Sequence, residues 1–354
     1  MNQFQIANQL IGDQQPVFII AEAGVNHNGD FVKAKQLVDI AVMSGANAVK
    51  FQTFCTDQLV TGESSKAQYQ IETTGINENQ YEMLSKLELS FEQQRELKAY
   101  CDNKGIIFLS TPFDEKSFEF LQTLDLPAYK ISSTDTNNYL FIKKIAKTQK
   151  PIVLSTGMST FSEIEEAVHT IRREGNQQIG LLHCTSSYPT PPNECNLKVI
   201  QTFATCFDVI VGYSDHTANI GAGPFTVPLG AKIIEKHFTI DKKLEGPDHK
   251  ASLDPNELKE YICQIRLVEQ MMGSTEKQLT HREHDTRAKL QKKLFVNETI
   301  ASGEVIRESV LTGRRSDKGI PVKYASMFIG KTTRRGLQDG DAVSFQDVDM
   351  GELL

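Results

Sequence analysis

The sequence lacks any apolar run long enough to span a bilayer, and its first residues show no basic segment followed by an apolar stretch. These absences predict a cytoplasmic protein. The net charge of -7 gives no excess of positive charge that would attract a polyanion, so nucleic acid and anionic membranes are disfavoured as partners. Any phosphate group must therefore be bound by a local cluster of donors.

Cysteine is scarce and unpatterned. The six cysteines form no CxxC pair and no regular framework, as is typical of reduced thiols in a cytosolic protein. Internal repeats and low-complexity tracts are also missing. The length of 354 residues, with 39% hydrophobic and 23% charged residues, is typical of a globular chain with one large domain and a smaller companion.

Short apolar segments alternate with stretches that carry apolar residues at helical spacing. Such alternation indicates a parallel sheet, and eight strand-helix units predict a (β/α)8 TIM barrel. The predicted helices include residues 31–43 and 162–173. The eight predicted strands are residues 17–23, 48–54, 106–110, 128–132, 151–155, 179–184, 209–213 and 232–236.

Two segments interrupt the barrel pattern. Residues 56–90 are long and polar, which suggests a lid or substrate loop. Beyond a helical stretch at 255–272, the charged residues 276–292 are predicted to link the barrel, residues 1–275, to a separate tail. The tail, residues 293–354, has short β-like runs between glycines and is predicted to be a small β-rich domain.

Nearly every predicted strand ends in polar or ionisable residues, and in a TIM barrel these ends gather at the mouth that carries the active site. The pattern therefore indicates catalysis. The residues concerned are Glu22, Lys50, Gln52, Thr111, Lys130, Ser133, Ser155, His183, Ser214, Asp215, His216, Glu235 and His237.

Lys50 and Lys130 come from different strands and are costly to bury without partners. With the hydroxyl groups of Thr111, Ser133, Ser155 and Ser214 they would form a donor cluster suited to a phosphate dianion. The alternative for each lysine is an ion pair with a nearby carboxylate, Glu22 or Glu235.

His216 follows the seventh strand and His237 ends the eighth, so adjacent strands present two imidazoles to one cavity. This pair suits a divalent metal that keeps positions open for water and substrate. For either histidine alone, a hydrogen-bonded core role is as good an interpretation. Cys184 is interpreted as a buried packing residue, and His281 and His284 as part of a solvated linker.

The chain resembles the sialic acid synthase family along almost its whole length, and the tail resembles that family's small antifreeze-like (SAF) domain. The motifs that carry the resemblance are AEAGVNHNGD from Ala21 to Asp30, KFQTF, STPFD, YKISSTDTNN, LSTGM, HCTSSYPTP, GYSDHT, EKHFT and GPDHKASLDP.

The resemblance implies that phosphoenolpyruvate condenses with N-acetylmannosamine to give N-acetylneuraminate and phosphate. It implies Mn2+ or Mg2+ on His216 and His237, and it places phosphoenolpyruvate on the two lysines and the four hydroxyl groups. It also implies a domain-swapped homodimer in which the SAF domain supplies Arg315 to the partner's sugar site. The other sugar contacts that it implies are Gln52, Asp135, Tyr188 and Asp248.

The catalytic carboxylates are predicted to be Glu22, Glu235 and Asp215, with Glu22 orienting or deprotonating the water that captures the cation at C2. The alternative for Glu22 is a salt bridge to Lys50 or Lys130. The chain departs from the family pattern at Ser132, Thr134 and Ser186, which bears on the acceptor.

Several rival functions stay open on the sequence alone. The acceptor could be 2,4-diacetamido-2,4,6-trideoxymannose, giving diacetyllegionaminate, which needs an apolar patch for the 6-methyl group. It could be N-acetylmannosamine 6-phosphate, giving N-acetylneuraminate 9-phosphate, which needs additional cations. More distant alternatives are a 3-deoxy sugar-acid synthase and a non-catalytic sugar or phosphate binder.

Overall fold

The computed structural model describes residues 3–74, 78–349 and 351. The chain divides into two compact units, Met1–Gly273 and Ser274–Leu354. In the described part of the chain, no helix is both long and apolar enough to cross a membrane.

The first unit contains a two-stranded antiparallel hairpin, formed by its first two strands, and a sheet of eight parallel strands surrounded by helices. Its strands are β1 Gln3–Ile6, β2 Gln9–Gly12, β3 Phe18–Gly24, β4 Ala48–Thr53, β5 Ile107–Pro112, β6 Tyr129–Ile131, β7 Ile152–Ser155, β8 Ile179–Cys184, β9 Ile210–Asp215 and β10 Ile233–His237. Its helices are α1 Phe31–Ser44, α2 Thr56–Leu59, α3 Gln68–Thr74, α4 Gln80–Leu87, α5 Phe91–Lys104, α6 Glu115–Thr123, α7 Tyr139–Ala146, α8 Phe161–Arg173, α9 Val199–Phe207, α10 Gly223–Thr226 and α11 Pro255–Met272.

Strands β3 to β10 form the barrel. They are hydrogen-bonded in the order β5-β4-β3-β10-β9-β8-β7-β6, so the sheet is nearly closed and the seam lies between β5 and β6. Each of the eight strands overlaps one of the eight predicted segments, and α11 has the predicted bounds. The predicted (β/α)8 architecture is confirmed.

The barrel interior is apolar at its lower end. The antiparallel hairpin β1–β2 contributes Phe4, Ile6 and Ile11 to a cluster with the inward residues of the barrel strands, such as Phe18 and Ile20. Because strand side chains alternate between faces, Glu22, two residues beyond Ile20, points inward above this cluster. The polar side chains of the site therefore lie directly above an apolar cluster.

Helix starts and stops in this unit follow local capping chemistry. The Asp30 carboxylate accepts hydrogen bonds from the backbone of Val32 and Lys33 at the start of α1, and Gly45 ends that helix in the left-handed region, at φ 82°. The Asp254 side chain forms a capping box with Glu257 at the start of α11. These caps fix the points at which the chain turns back towards the sheet.

Residues 56–90 form the three short helices α2, α3 and α4, apart from residues 75–77, which lie outside the described residues. Leu87 and Met83 of α4 are buried with Val25 and Phe54 in a separate apolar cluster. This cluster attaches the segment to the loops at the upper end of the barrel. We call residues 56–74 and 78–90 the cover segment.

The second unit contains helix α12, His281–Leu290, and an antiparallel pair, β11 Lys292–Val296 and β12 Leu311–Arg315. Helix α12 occupies most of the predicted linker. The unit has its own core, which includes Leu294, Val296 and Phe328. Its assignment as a SAF domain stays a prediction.

Candidate active site

A cavity of about 430 Å³ opens at the carboxyl ends of the barrel strands. This is the end at which TIM-barrel enzymes carry their active sites. The cavity is lined by all the predicted site residues except Asp135, His183, Asp215 and Arg315. The predicted residues that line it are Glu22, Lys50, Gln52, Thr111, Lys130, Ser133, Ser155, Tyr188, Ser214, His216, Glu235, His237 and Asp248.

Lys50 lies between two carboxylates. Its Nζ is 2.7 Å from Oε2 of Glu22 and 3.6 Å from Oε2 of Glu235, and it donates to Oγ1 of Thr111 at 3.1 Å. Gln52 Nε2 donates to Oε1 of Glu22 at 3.4 Å. The ion pairs considered as an alternative to phosphate binding are therefore formed, and they hold the lysine inside the cavity.

Lys130 lies on the opposite side of Glu235. Its Nζ is 3.9 Å from Oε1 of Glu235 and donates to Oγ of Ser155 at 2.6 Å and to the Ile131 carbonyl at 3.0 Å. Burial lowers the pKa of Lys130 against the attraction of Glu235. Ser214 Oγ donates to Oε1 of Glu235 at 3.0 Å, so this carboxylate organises both ammonium groups and a hydroxyl.

The two carboxyl groups differ in proton affinity. Burial raises the pKa of Glu22 to about 7, although Lys50 opposes this effect. Burial acts on Glu235 in the same direction, but there Lys130 and Lys50 together outweigh it and the pKa falls to about 2. Glu235 is thus a fixed anion near neutral pH, whereas Glu22 can gain or lose a proton.

His216 and His237 meet at one wall of the cavity, with ring centroids 5.5 Å apart. Nδ1 of His216 is 2.8 Å from the Thr185 carbonyl, which fixes the tautomer and leaves Nε2 as a free electron-pair donor. Nδ1 of His237 is buried, has no hydrogen-bond partner among the described residues, and lies 4.0 Å from Oδ2 of Asp248.

These observations fit a divalent metal held by two imidazoles. Coordination to a metal would satisfy the unpaired Nδ1 of His237. Backbone acceptors such as the Thr185 carbonyl commonly orient metal-bound histidines. Within the described ranges, no group of three or more His, Cys, Asp or Glu side chains is arranged as a metal site. Water and substrate oxygen would have to supply the other ligands.

The sugar contacts expected from the resemblance lie beside the histidines. Tyr188 packs on His216 with ring centroids 4.0 Å apart, and Asp248 is buried in the same wall. Burial raises the pKa of Asp248 to about 6, and His216 opposes this rise. A hydroxyl-rich ligand would therefore meet a phenol and a carboxyl group next to the proposed metal ligands.

Asp215 lies outside the cavity, behind the barrel wall. Its Oδ1 accepts from the Thr217 backbone at 2.9 Å and is 3.4 Å from Nζ of Lys236, and its Oδ2 accepts from the Tyr261 hydroxyl at 3.0 Å. Because Ser214 points into the barrel, its neighbour must point outward. Asp215 therefore has a structural position between β9 and α11, and its carboxylate does not face the cavity.

Replacing Lys236 is expected to destabilise the protein without touching the cavity. Lys236→Met leaves the buried Asp215 carboxylate without its cation, at a cost of about 3 kcal/mol in the free energy of unfolding. Urea denaturation measures this loss as a lower midpoint. Lys144→Met, which breaks an exposed pair with Glu115, is the control and should leave the midpoint unchanged. Equal midpoints for the two variants would contradict this structural role.

Three other predicted residues, Asp135, His183 and Arg315, are not among those that line the cavity. The Asp135 carboxylate is mostly buried beyond the cavity lining and accepts from Nδ2 of Asn138 at 2.9 Å, which occupies it in local structure. Nε2 of His183 is 2.8 Å from the Cys195 carbonyl, a hydrogen-bonded core position. Arg315 ends β12 in the second unit and is exposed. The roles of Asp135 and Arg315 as sugar contacts stay predictions.

Other residues that line the cavity were given no binding or catalytic role from the sequence. Cys184 Sγ lies 3.7 Å from Nδ1 of His216, a neighbour that only the fold reveals. Ser132 and Thr134, noted as departures from the family pattern, do line the cavity. The cover segment adds Leu59, Val60, Ala67, Tyr69, Gln70, Gln80, Met83, Leu84 and Leu87. The length and polarity of residues 56–90 were the available signal for this contribution.

Comparison of the chain with known proteins shows the family to which it belongs. The NeuB family model matches residues 37–277. The chain belongs to the NeuB family. It is 44% identical to the N,N'-diacetyllegionaminic acid synthase of Campylobacter jejuni over 92% of this chain and 98% of the relative. It is 36% identical to the human N-acetylneuraminate-9-phosphate synthase over 96% of this chain and 94% of the relative.

Solved structures agree with the NeuB assignment. The crystal structure of an N-acetylneuraminic acid (sialic acid) synthetase from Leptospira borgpetersenii, in complex with citrate, matches with a TM-score of 0.71 and 32% identity. The match covers 82% of this chain and 98% of that chain. The family resemblance seen in the motifs is confirmed, and the names of these relatives refer to different nonulosonic acids.

Proposed function

We propose that this NeuB-family protein is a nonulosonic acid synthase that joins phosphoenolpyruvate to an N-acetylated amino sugar and releases phosphate. The observation that carries the proposal is the convergence of two buried lysines and two buried histidines on one cavity. A binder without catalysis has no use for the carboxyl group of Glu22, which can exchange a proton near neutral pH.

Phosphoenolpyruvate would occupy the lysine side of the cavity. Lys50 and Lys130 supply positive charge, and Thr111 and Ser155, which accept from the lysines, can donate their hydroxyl protons to the ligand. Ser214 donates to Glu235 and helps to hold that carboxylate. Glu235 holds the two ammonium groups on either side of itself before the ligand arrives. Such preorganised donors are suited to the phosphate and carboxylate groups of phosphoenolpyruvate.

The acceptor aldehyde would lie on the histidine side. His216 and His237 would hold Mn2+ or Mg2+, which when bound polarises a carbonyl oxygen. Tyr188 and Asp248 would orient the open-chain sugar beside them. This arrangement brings the aldehyde carbon towards the lysine side, where the enol carbon of phosphoenolpyruvate must attack it.

Proton transfer falls to Glu22. The enol carbon bonds to the aldehyde carbon, whose oxygen takes up a proton, and water adds to the cation left at C2. The C–O bond to phosphate then breaks as the new C2 hydroxyl becomes the ketone, and its proton leaves with phosphate. Glu22, with a pKa near 7, can take the proton from that water, and Lys50 and Gln52 hold its carboxylate in place. Glu235 stays ionised and offsets positive charge that develops at C2.

The cavity wall bears on the choice of acceptor. The wall formed by the cover segment is largely apolar, with Leu59, Val60, Met83, Leu84 and Leu87. Among the described lining residues, the cations are the two lysines already assigned to phosphoenolpyruvate, so a phosphorylated sugar is disfavoured. An apolar wall favours the 6-methyl group of 2,4-diacetamido-2,4,6-trideoxymannose over the 6-hydroxyl of N-acetylmannosamine, the first choice from sequence.

Phosphate release with a panel of sugars tests the proposal. We expect release with phosphoenolpyruvate, Mn2+ and the trideoxy sugar, a catalytic efficiency about tenfold lower with N-acetylmannosamine, and least with N-acetylmannosamine 6-phosphate. A higher efficiency with N-acetylmannosamine would restore the first choice. No release with any of the three sugars would support the non-catalytic alternative.

A further inference from the structure

An aromatic chain connects the cover segment to the proposed metal ligands. Tyr69 on α3 lines the cavity and stacks on Tyr188, with ring centroids 5.0 Å apart and an angle of 27° between the planes. Tyr188 in turn contacts His216 at 4.0 Å and His237 at 5.9 Å between centroids. One face of Tyr188 is thereby covered by a residue more than a hundred positions earlier in the chain.

Local hydrogen bonds within residues 66–74 fix the conformation of helix α3. The buried Gln70 side chain accepts from the Ala67 backbone at 2.9 Å, and its backbone carbonyl accepts from Oγ1 of Thr74 at 2.8 Å. Lys66 Nζ donates to the same Thr74 hydroxyl at 3.0 Å. These hydrogen bonds fix the backbone at both ends of α3, and so they fix the direction in which the helix carries Tyr69.

The surroundings of Tyr69 match those of the acceptor rather than those of phosphoenolpyruvate. Its side chain is half-buried, and burial together with the charge of Asp248 raises its pKa, which keeps the phenol protonated as a donor. Tyr188, on which it stacks, and Asp248, whose charge acts on it, belong to the sugar side. The two lysines pair instead with the carboxylates at the ends of the barrel strands.

We propose that Tyr69 is a specificity-determining residue that packs against the acceptor sugar and holds Tyr188 against the two histidines. A stacked pair of phenols offers a wide apolar face and two hydroxyl groups, which suits the C–H face and acetamido group of an amino sugar. The proposal rests on the proposed function and deepens it, because it assigns part of acceptor recognition to the cover segment.

Steady-state kinetics of two substitutions test this role. Tyr69→Ala removes the ring and is expected to raise the KM for the acceptor by about tenfold or more while the KM for phosphoenolpyruvate changes less than about twofold. Tyr69→Phe keeps the ring and should restore most of the acceptor affinity. The matched control is Tyr81→Ala on α4, because Tyr81 bonds to Asp57 outside the cavity. It should leave both constants unchanged.

Hydrogen exchange without substrates gives a second readout that does not depend on catalysis. Tyr69→Ala should speed amide exchange in residues 183–190, where Tyr188 loses its stacking partner, and Tyr81→Ala should not. Unchanged exchange there, or equal increases in both KM values, would overturn the proposal. If no sugar is turned over, the proposed function fails, and the exchange result alone then decides whether Tyr69 holds Tyr188.

Discussion

Removal of divalent metal by EDTA is expected to abolish phosphate release, and added Mn2+ is expected to restore it. His237→Ala should lower kcat by about a thousandfold, because the loss of one of two imidazoles removes both metal affinity and carbonyl polarisation. Isothermal titration of the metal-free protein with Mn2+ would show the lost affinity directly, and phosphate release would show the lost turnover.

The control for this experiment is His169→Ala, which removes an exposed imidazole on α8, away from the cavity. It should bind Mn2+ and turn over like the unaltered protein. Phosphate release that survives chelation, or Mn2+ binding that is intact in His237→Ala, would contradict the assignment of His216 and His237 as the metal ligands.

The pH dependence should follow Glu22. As a general base it must be ionised, and its raised pKa of about 7 means that log(kcat/KM) should fall with unit slope below about pH 7 and level off above it. Glu22→Gln keeps the shape but cannot accept a proton, so it should lower kcat by about a hundredfold to a thousandfold and remove the acidic limb.

Glu165→Gln, an exposed neutralisation on α8, should keep both the rate and the pH profile. The assignment of Glu22 would be wrong if the profile of the unaltered protein were flat between about pH 5.5 and 8. It would also be wrong if Glu22→Gln kept the same acidic limb, because another group would then carry the titration.

Most of the barrel and its polar mouth could be predicted because both depend on local patterns. Apolar runs such as residues 179–184 mark strands, and residues two apart in a strand share a face, as Glu235 and His237 do. The same rule places Asp215, which was predicted to be catalytic, outside the barrel cavity. Ser214 and His216 point inward, so the residue between them had to point outward.

What the sequence could not provide were contacts between distant segments. Tyr69 and Tyr188 meet only because α3 folds over the mouth, and no periodicity links them. Asp135 is likewise not among the residues that line the cavity, and its carboxylate accepts a hydrogen bond from Asn138. The apolar cavity wall likewise depends on how the cover segment packs. The polar composition of this segment does not indicate which of its residues face the cavity.

The measurement that most directly tests the proposed chemistry is the isotopic content of the phosphate formed in H2 18O. With Mn2+, phosphoenolpyruvate and the trideoxy sugar, mass spectrometry should show one unlabelled phosphate for each nonulosonic acid formed, because water adds to carbon and the bridging oxygen leaves with phosphorus. Phosphate that carries one 18O would mean attack at phosphorus. That result would contradict the proposed roles of Glu22 and of the lysine pair.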